Sequence, residues 1–259
     1  MKMVISLNFK DKLKKTALTK NIEYINIISC EYENYNSVVV ALLPYYAGEK
    51  ESYISKYTRG EDYHLLGKRV MESILKDLNI EDYKILVDVS PHNEKELALK
   101  AGLGVYGRNS LLINEKYGSY VFILTAFLNL NEAYPEQKIK HCINCGRCMD
   151  ACPQKTIKED KVIFENCLSY LTQKKNITLD EEKAVKKAKK VWGCDVCQDV
   201  CPLNKNASIT PFYELKENLL LNLDGIDSLT NREFKEKYGK FSLSYKGKNI
   251  LKRNINLIE

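Results

Sequence analysis

Nine cysteines stand in this chain of 259 residues, and eight of them fall between Cys142 and Cys201. The start, MKMVISLNFKDKLKK, lacks the apolar stretch and small-residue cleavage site of a secretory leader, so a cytoplasmic location is expected. Thiols there stay reduced, and clustered ones read as metal ligands instead of disulfides. Their spacing is specific. Cys142-x2-Cys145-x2-Cys148-x3-Cys152-Pro153 is the run in which three cysteines hold one iron–sulfur cubane and the fourth reaches a second. Two-residue gaps in a tight loop point three thiolates at three corners of one cube, while the longer gap begins a helical turn directed away. Cys194-x2-Cys197-x3-Cys201-Pro202 repeats the pattern with one cysteine fewer, and Cys167 supplies the missing ligand. Crossing the groups gives one 4Fe–4S cluster on Cys142, Cys145, Cys148 and Cys201, and a second on Cys152, Cys167, Cys194 and Cys197. Zinc is the competing reading, because paired CxxC motifs also build tetrahedral thiolate sites. The Cys-Pro endings and the four-one-three grouping weigh against it. Cys30 reads as a small buried hydrophobe.

Clusters alone would make an electron carrier, which has no need of the long region from Met1 to about Tyr134. That region is expected to hold the electron acceptor. No GxGxxG opens a helix after a strand, and AGLGVYG follows a helix, so a nicotinamide or flavin site is not indicated. Asp88 is the acid to single out. It ends an apolar strand close to Pro91, where burial would raise its pKa toward neutrality and fit it for general acid work. The plainer alternative is a turn or cap residue before Ser90-Pro91. His64 and His92 are further candidates, each with a structural alternative.

The elements that must position these groups are partly legible. Val38 to Leu43 suits a buried strand, and Asp62 to Leu78 carries Leu66, Val70, Ile74 and Leu78 at helical spacing. Ile85 to Val87 is a short strand. Asn93 resembles the N-cap of a helix that stops at Gly102. Ser110 to Ile113 and Tyr120 to Leu130 read as strands. Beyond Pro135 the cysteines dominate. Thr178 and Glu181 form a capping box for a helix running through Trp192 and ending at Gly193. The division expected is an α/β (α+β) domain over 1–134, a ferredoxin-like double-cluster domain over 135–206 and a short helical, basic segment over 207–259. Hydrophobic residues make up 44% of the chain, enough for a real core, and no stretch is long and apolar enough to span a bilayer. Net charge is +6, yet the last thirty residues hold eight basic against three acidic side chains. Lys246, Lys248, Lys252 and Arg253 belong to that stretch, which either faces a polyanion or is a solvated surface.

Several segments resemble the epoxyqueuosine reductases, a cobalamin- and iron–sulfur-dependent family. They are YTRGEDYHLLGKRV, VDVSPHNEKELALKAGLGVYGRNSLLINEKYGSYVF, HCINCGRCMDACP, ENCLSYLTQ, WGCDVCQDVCPLNK and NREFKEKYGKFSLSYKGKNILKRNINL. The resemblance covers most of the chain and is to a short form lacking C-terminal helical repeats. It implies an oxidoreductase that removes the epoxide of epoxyqueuosine in tRNA, with two 4Fe–4S clusters reducing base-off cobalamin. Asp88 would then be the proton donor to the epoxide oxygen. Asp88, Val89, Ser90, Pro91, His92 and Asn93, with Asn109, Leu112 and Ile123, would line the corrin. Ser169, Gln173 and Asp195 would lie where the cluster domain approaches cofactor or tRNA. The implied partners are tRNA and a low-potential donor such as flavodoxin or ferredoxin, with the protein a monomer. Two rival readings are a small-molecule reductase like the reductive dehalogenases and a non-catalytic electron-transfer module.

Overall fold

The computed structural model describes residues 8–131, 134–159, 161–216, 223 and 225–259. The first seven residues, part of the segment read for a leader, lie outside these. Among the described residues no helix is long and apolar enough to cross a membrane.

The chain begins with α1 (Phe9–Thr19), β1 (Ile25–Tyr32) and β2 (Tyr35–Pro44). Next come α2 (Tyr63–Asp77), β3 (Tyr83–Leu86) and α3 (Glu94–Lys100), then the short β4 (Val105–Tyr106) and β5 (Leu112–Ile113), and finally β6 (Val121–Leu128). Four strands form one sheet in the order β1-β2-β6-β3, every pair antiparallel. The mixed class expected from sequence therefore takes its α+β form. From Val38 to Leu43 strand β2 is apolar without a break because both of its faces are covered there. Val39, Ala41 and Leu43 share a core with Leu13 of α1 and with Leu66, Ile74 and Leu75 of α2. Val38, Val40 and Leu42 pack with Leu97, Ala98 and Leu99 of α3.

The cysteine-rich region contains α4 (Arg147–Ala151), α5 (Leu168–Leu171), α6 (Leu179–Ala188) and α7 (Val196–Asp199). The capping box on α6 is present in both directions. However, α6 stops at Ala188, with Lys189 at φ +49°, and does not run through Trp192. The cause is tertiary. The Val191 N–H donates to Tyr53 O at 2.7 Å and the Ser55 N–H to Trp192 O at 2.7 Å, so the chain is drawn into extended pairing with residues 53–55. The described residues that follow include the α-helices α8 (Tyr213–Lys216), α9 (Asn231–Tyr238) and α10 (Lys248–Ile258). Phe234, Tyr238, Phe241, Ile250 and Leu251 close around Trp192 and Ile54, so the C-terminal segment shares a core with both earlier regions.

Candidate active site

Local geometry gathers the thiols. Asn144 (φ +53°) and Gly146 (φ +79°) curl the loop that carries Cys142, Cys145 and Cys148. Its start is fixed to β4, since the Cys142 N–H donates to Tyr106 O at 3.0 Å and the Tyr106 N–H to Lys140 O at 2.8 Å. Helices α4 and α7 pack together, and each delivers the cysteine at its C-terminal end, Cys152 and Cys201, toward the other motif. Cys142, Cys145, Cys148 and Cys201 consequently line one cavity. Cys152, Cys167, Cys194 and Cys197 line another, of about 460 Å³. Among the described residues no three His, Cys, Asp or Glu side chains converge on a point as a single metal ion requires. Thiols that ring a space suit a cube. The two rings differ in exposure. Cys145 is exposed, whereas burial pushes the Cys194 thiol up to about 11 and Cys197 up to about 12. Thiolates in so dry a place require the compensating charge of bound iron.

A buried polar seam locks this region to the sheet domain. Asp195 accepts from the Ser55 hydroxyl and, at 2.8 Å, from the Lys56 N–H. Gln198 Oε1 accepts from the Tyr45 and Ser119 hydroxyls at 3.1 and 3.0 Å. Asn204 accepts from the Ser119 N–H and donates to the Ser119 hydroxyl, both at 2.8 Å. Asp195, expected beside the cofactor, is thus buried and turned toward residues 55–56, and burial raises its carboxyl pKa against the lowering effect of those donors.

Asp88 opens on a cavity of about 400 Å³ lined also by Ser90, His92, Asn93, Leu112 and Ile123. Tyr63, Leu111, Ser119, Val121 and Phe122 wall both this cavity and the one holding Cys152, Cys167, Cys194 and Cys197. Acid and thiols therefore face one cleft with a largely apolar wall, of the size that binds organic cofactors. Asp88 follows the end of β3 at φ +58°, a left-handed conformation that Asp tolerates better than most residues. Glu94, the first residue of α3, holds it there: Glu94 Oε2 accepts the Asp88 N–H at 3.1 Å and Oε1 the Ser90 N–H at 3.4 Å. The Tyr63 hydroxyl donates to Asp88 Oδ2 at 2.7 Å, while its ring stacks on Phe122 at 4.0 Å. Burial, reinforced by the Asp88 charge, pushes the Tyr63 phenol far up and keeps it a donor.

The desolvated carboxyl expected at Asp88 is found at Glu94 instead. Asp88 is exposed, whereas burial, followed by the Asp88 charge, raises Glu94 to about 7. Val89 points outward, 68% exposed. Pro91 is not among the residues lining either cavity. His64 is bonded to Asp62 at 2.7 Å, which raises its pKa, and His92 packs edge-on to Tyr32. Asn109, Ser169 and Gln173 line the thiol-bearing part of the cleft. The basic residues near the C-terminus divide. The Arg253 guanidinium donates to Lys174 O and Lys175 O at 2.8 and 2.9 Å, Lys252 pairs with Asp227 at 3.2 Å, and Lys248 bonds Leu229 O. Lys246 is exposed, its ammonium 4.8 Å from the centre of the Tyr245 ring. Tyr63, Glu94 and Phe122 were not singled out by sequence reasoning. Only Glu94, an acid in the first turn of the helix that Asn93 caps, carried a signal, since acids suit that end of a helix.

Comparison with known proteins returns two family models. The 4Fe-4S double cluster binding domain matches residues 141–204, and epoxyqueuosine reductase QueG, DUF1730, matches residues 30–89. An epoxyqueuosine reductase of Leadbetterella byssophila is 37% identical over 234 residues, covering 86% of this chain and 77% of the relative. One of Lactococcus garvieae is 35% identical over 209 residues, and there the matched stretch spans 59% of the relative's length. Among solved structures, an epoxyqueuosine reductase from Streptococcus thermophilus superposes with a TM-score of 0.84 at 26% identity, covering 97% of this chain and 81% of that one. An epoxyqueuosine reductase with an epoxyqueuosine-modified tRNA-Tyr stem loop gives 0.82 at 23% identity, covering 96% and 80%.

Proposed function

The chain belongs to the epoxyqueuosine reductase family, and on that premise we propose that it reduces the epoxide of epoxyqueuosine in tRNA to the alkene of queuosine. The overall reaction takes two electrons and two protons and releases the epoxide oxygen as water. The observation that carries the reading is the single cleft whose wall runs from Asp88 to the thiols of Cys152, Cys167, Cys194 and Cys197. Cobalamin bound there would supply a strongly reducing cobalt centre, and the eight thiols would hold two 4Fe–4S clusters as its electron source, a cluster type whose potentials proteins tune over roughly −700 to +450 mV.

This chain's own residues do the rest. Phe122, Val121 and Leu111 give the flat ring an apolar wall and exclude water. Tyr63 occupies Asp88 Oδ2, which leaves Oδ1, without a hydrogen-bond partner among the described residues, to carry the proton. Asp88 gives that proton to the epoxide oxygen and so neutralises the alkoxide as the carbon–oxygen bond breaks. Glu94 fixes the loop that presents Asp88. Cys142, Cys145, Cys148 and Cys201 would hold the cluster nearer the surface, where Cys145 is exposed, and that cluster would accept electrons from a low-potential carrier such as flavodoxin or ferredoxin. The exposed Lys246 beside Tyr245 offers a phosphate contact and a stacking ring to tRNA. The protein acts in the cytoplasm as a monomer, in the three parts given above. The test is anaerobic turnover of epoxyqueuosine-containing tRNA by reconstituted protein, followed by nucleoside analysis. Queuosine is expected; unchanged epoxyqueuosine in protein loaded with both cofactors refutes the reading.

A further inference from the structure

Arg108 and Asn109 are neighbours in sequence beside the thiols: Arg108 lines only the cavity of Cys142, Cys145, Cys148 and Cys201, whereas Asn109 reaches both. They sit on the tight turn between β4 and β5, where the Gly107 N–H donates to Leu111 O and the Ser110 N–H to Gly107 O, both at 2.8 Å. The turn packs closely on itself, so a Cβ at Gly107 would lie 2.5 Å from Asn109 Oδ1 and displace that side chain. Arg108 lines the cavity of Cys142, Cys145, Cys148 and Cys201. Its Nη1 reaches Met149 Sδ at 3.2 Å, but its Nε is buried with no hydrogen-bond partner. An unpaired buried guanidinium N–H is costly, and native structures rarely keep one without a use. A cluster sulfur held by these four thiols would supply the acceptor. Asn109 is buried too. Its Oδ1 accepts the Leu111 N–H at 3.3 Å, and the side chain also lines the cavity of Cys152, Cys167, Cys194 and Cys197.

We propose that this turn tunes the two clusters separately. Arg108 gives a charged N–H donor to the sulfurs of the cluster on Cys142, Cys145, Cys148 and Cys201, and Asn109 gives a neutral donor to Cys197 of the other. The inference rests on the reading that both cavities hold 4Fe–4S clusters. Reduction adds negative charge to a cluster, so donors and cations near its sulfurs favour the reduced form and raise the potential. A turn fixed to the sheet domain would thus set cluster energetics from outside the cysteine-rich region. Neither residue needs to move for this.

The experiment is an anaerobic redox titration of the reconstituted holoprotein followed by electron paramagnetic resonance, with iron and sulfide measured for every variant. Arg108→Met is expected to lower one midpoint by a tenfold or larger change in its reduction equilibrium, about 59 mV for one electron, and to leave the other in place. Arg108→Lys keeps the charge but not the planar fork, so its midpoint should fall between. Asn109→Ala should lower the other midpoint. Full iron with both midpoints unmoved in Arg108→Met overturns the proposal, and so does an equal shift of both. Should Arg108→Met lose iron, Arg108→Lys decides by the same criterion. Wild-type protein without two cubane signals refutes the functional reading instead.

Discussion

A proton at Asp88 is governed by two neighbours, one on its carboxylate and one on its backbone. Asp88→Asn keeps the left-handed backbone and the shape of the side chain but removes the proton. It should lower turnover on the order of 10²- to 10⁴-fold, the usual weight of a positioned acid. Iron content and corrin absorbance should be unchanged, and near wild-type turnover would exclude Asp88 from proton transfer. Glu94 makes a separate prediction. Its carboxyl is raised from 4.5 to about 7 in the folded loop by burial and the nearby Asp88 charge. Between these values the folded state binds more protons than the unfolded one. Stability from this group is therefore full below pH 4.5 and lost as pH rises through about 7. Hydrogen exchange of residues 88–94, corrected for its intrinsic pH dependence, should show protection falling across that window. In Glu94→Gln the fall should vanish.

At the scale of elements, α10 is pinned by a buried amide. Asn254 is fully buried, and its Nδ2 donates to Thr172 O and Val191 O, both at 2.7 Å. Asn254→Ala strands two carbonyls and should cost about 1–3 kcal/mol, readable as a lowered denaturation midpoint. Signals that lie within a few residues of each other were legible in the sequence. Asn93 caps α3 and Thr178 caps α6, as their side chains foretold, and two cavities each gather one of the cysteine sets read from the spacing. Helix α1 escaped notice because only Leu13 and Ala17 of its eleven residues are buried, too few to write a helical stripe. Strand β1 went unmarked as well, since its burial alternates only weakly. The early end of α6, the burial of Glu94 and the turning of Asp195 toward Ser55 all depend on partners far away in sequence. The same holds for Arg253, whose charge looked available for a polyanion and instead joins α10 to the carbonyls of Lys174 and Lys175.

For the whole molecule, a net charge of +6 sets only a general attraction to nucleic acid. Specific attachment has to come from side chains not already committed elsewhere. Lys246→Glu should weaken tRNA binding at every salt concentration and reduce the slope of log affinity against log salt by about 1. The denaturation midpoint should stay where it is. Arg253→Glu is the instructive contrast, because it should unfasten α10 and lower stability and binding together.

Cys145 is open to solvent, whereas Cys152 is buried and Cys167, Cys194 and Cys197 are partly so. Dissolved oxygen consequently meets the molecule at one edge. Rusting should proceed in stages, with the outer cube stripped while the inner one survives. A briefly aerated sample would then be stranded between states: still holding its innermost iron, yet cut off from the wire that recharges it.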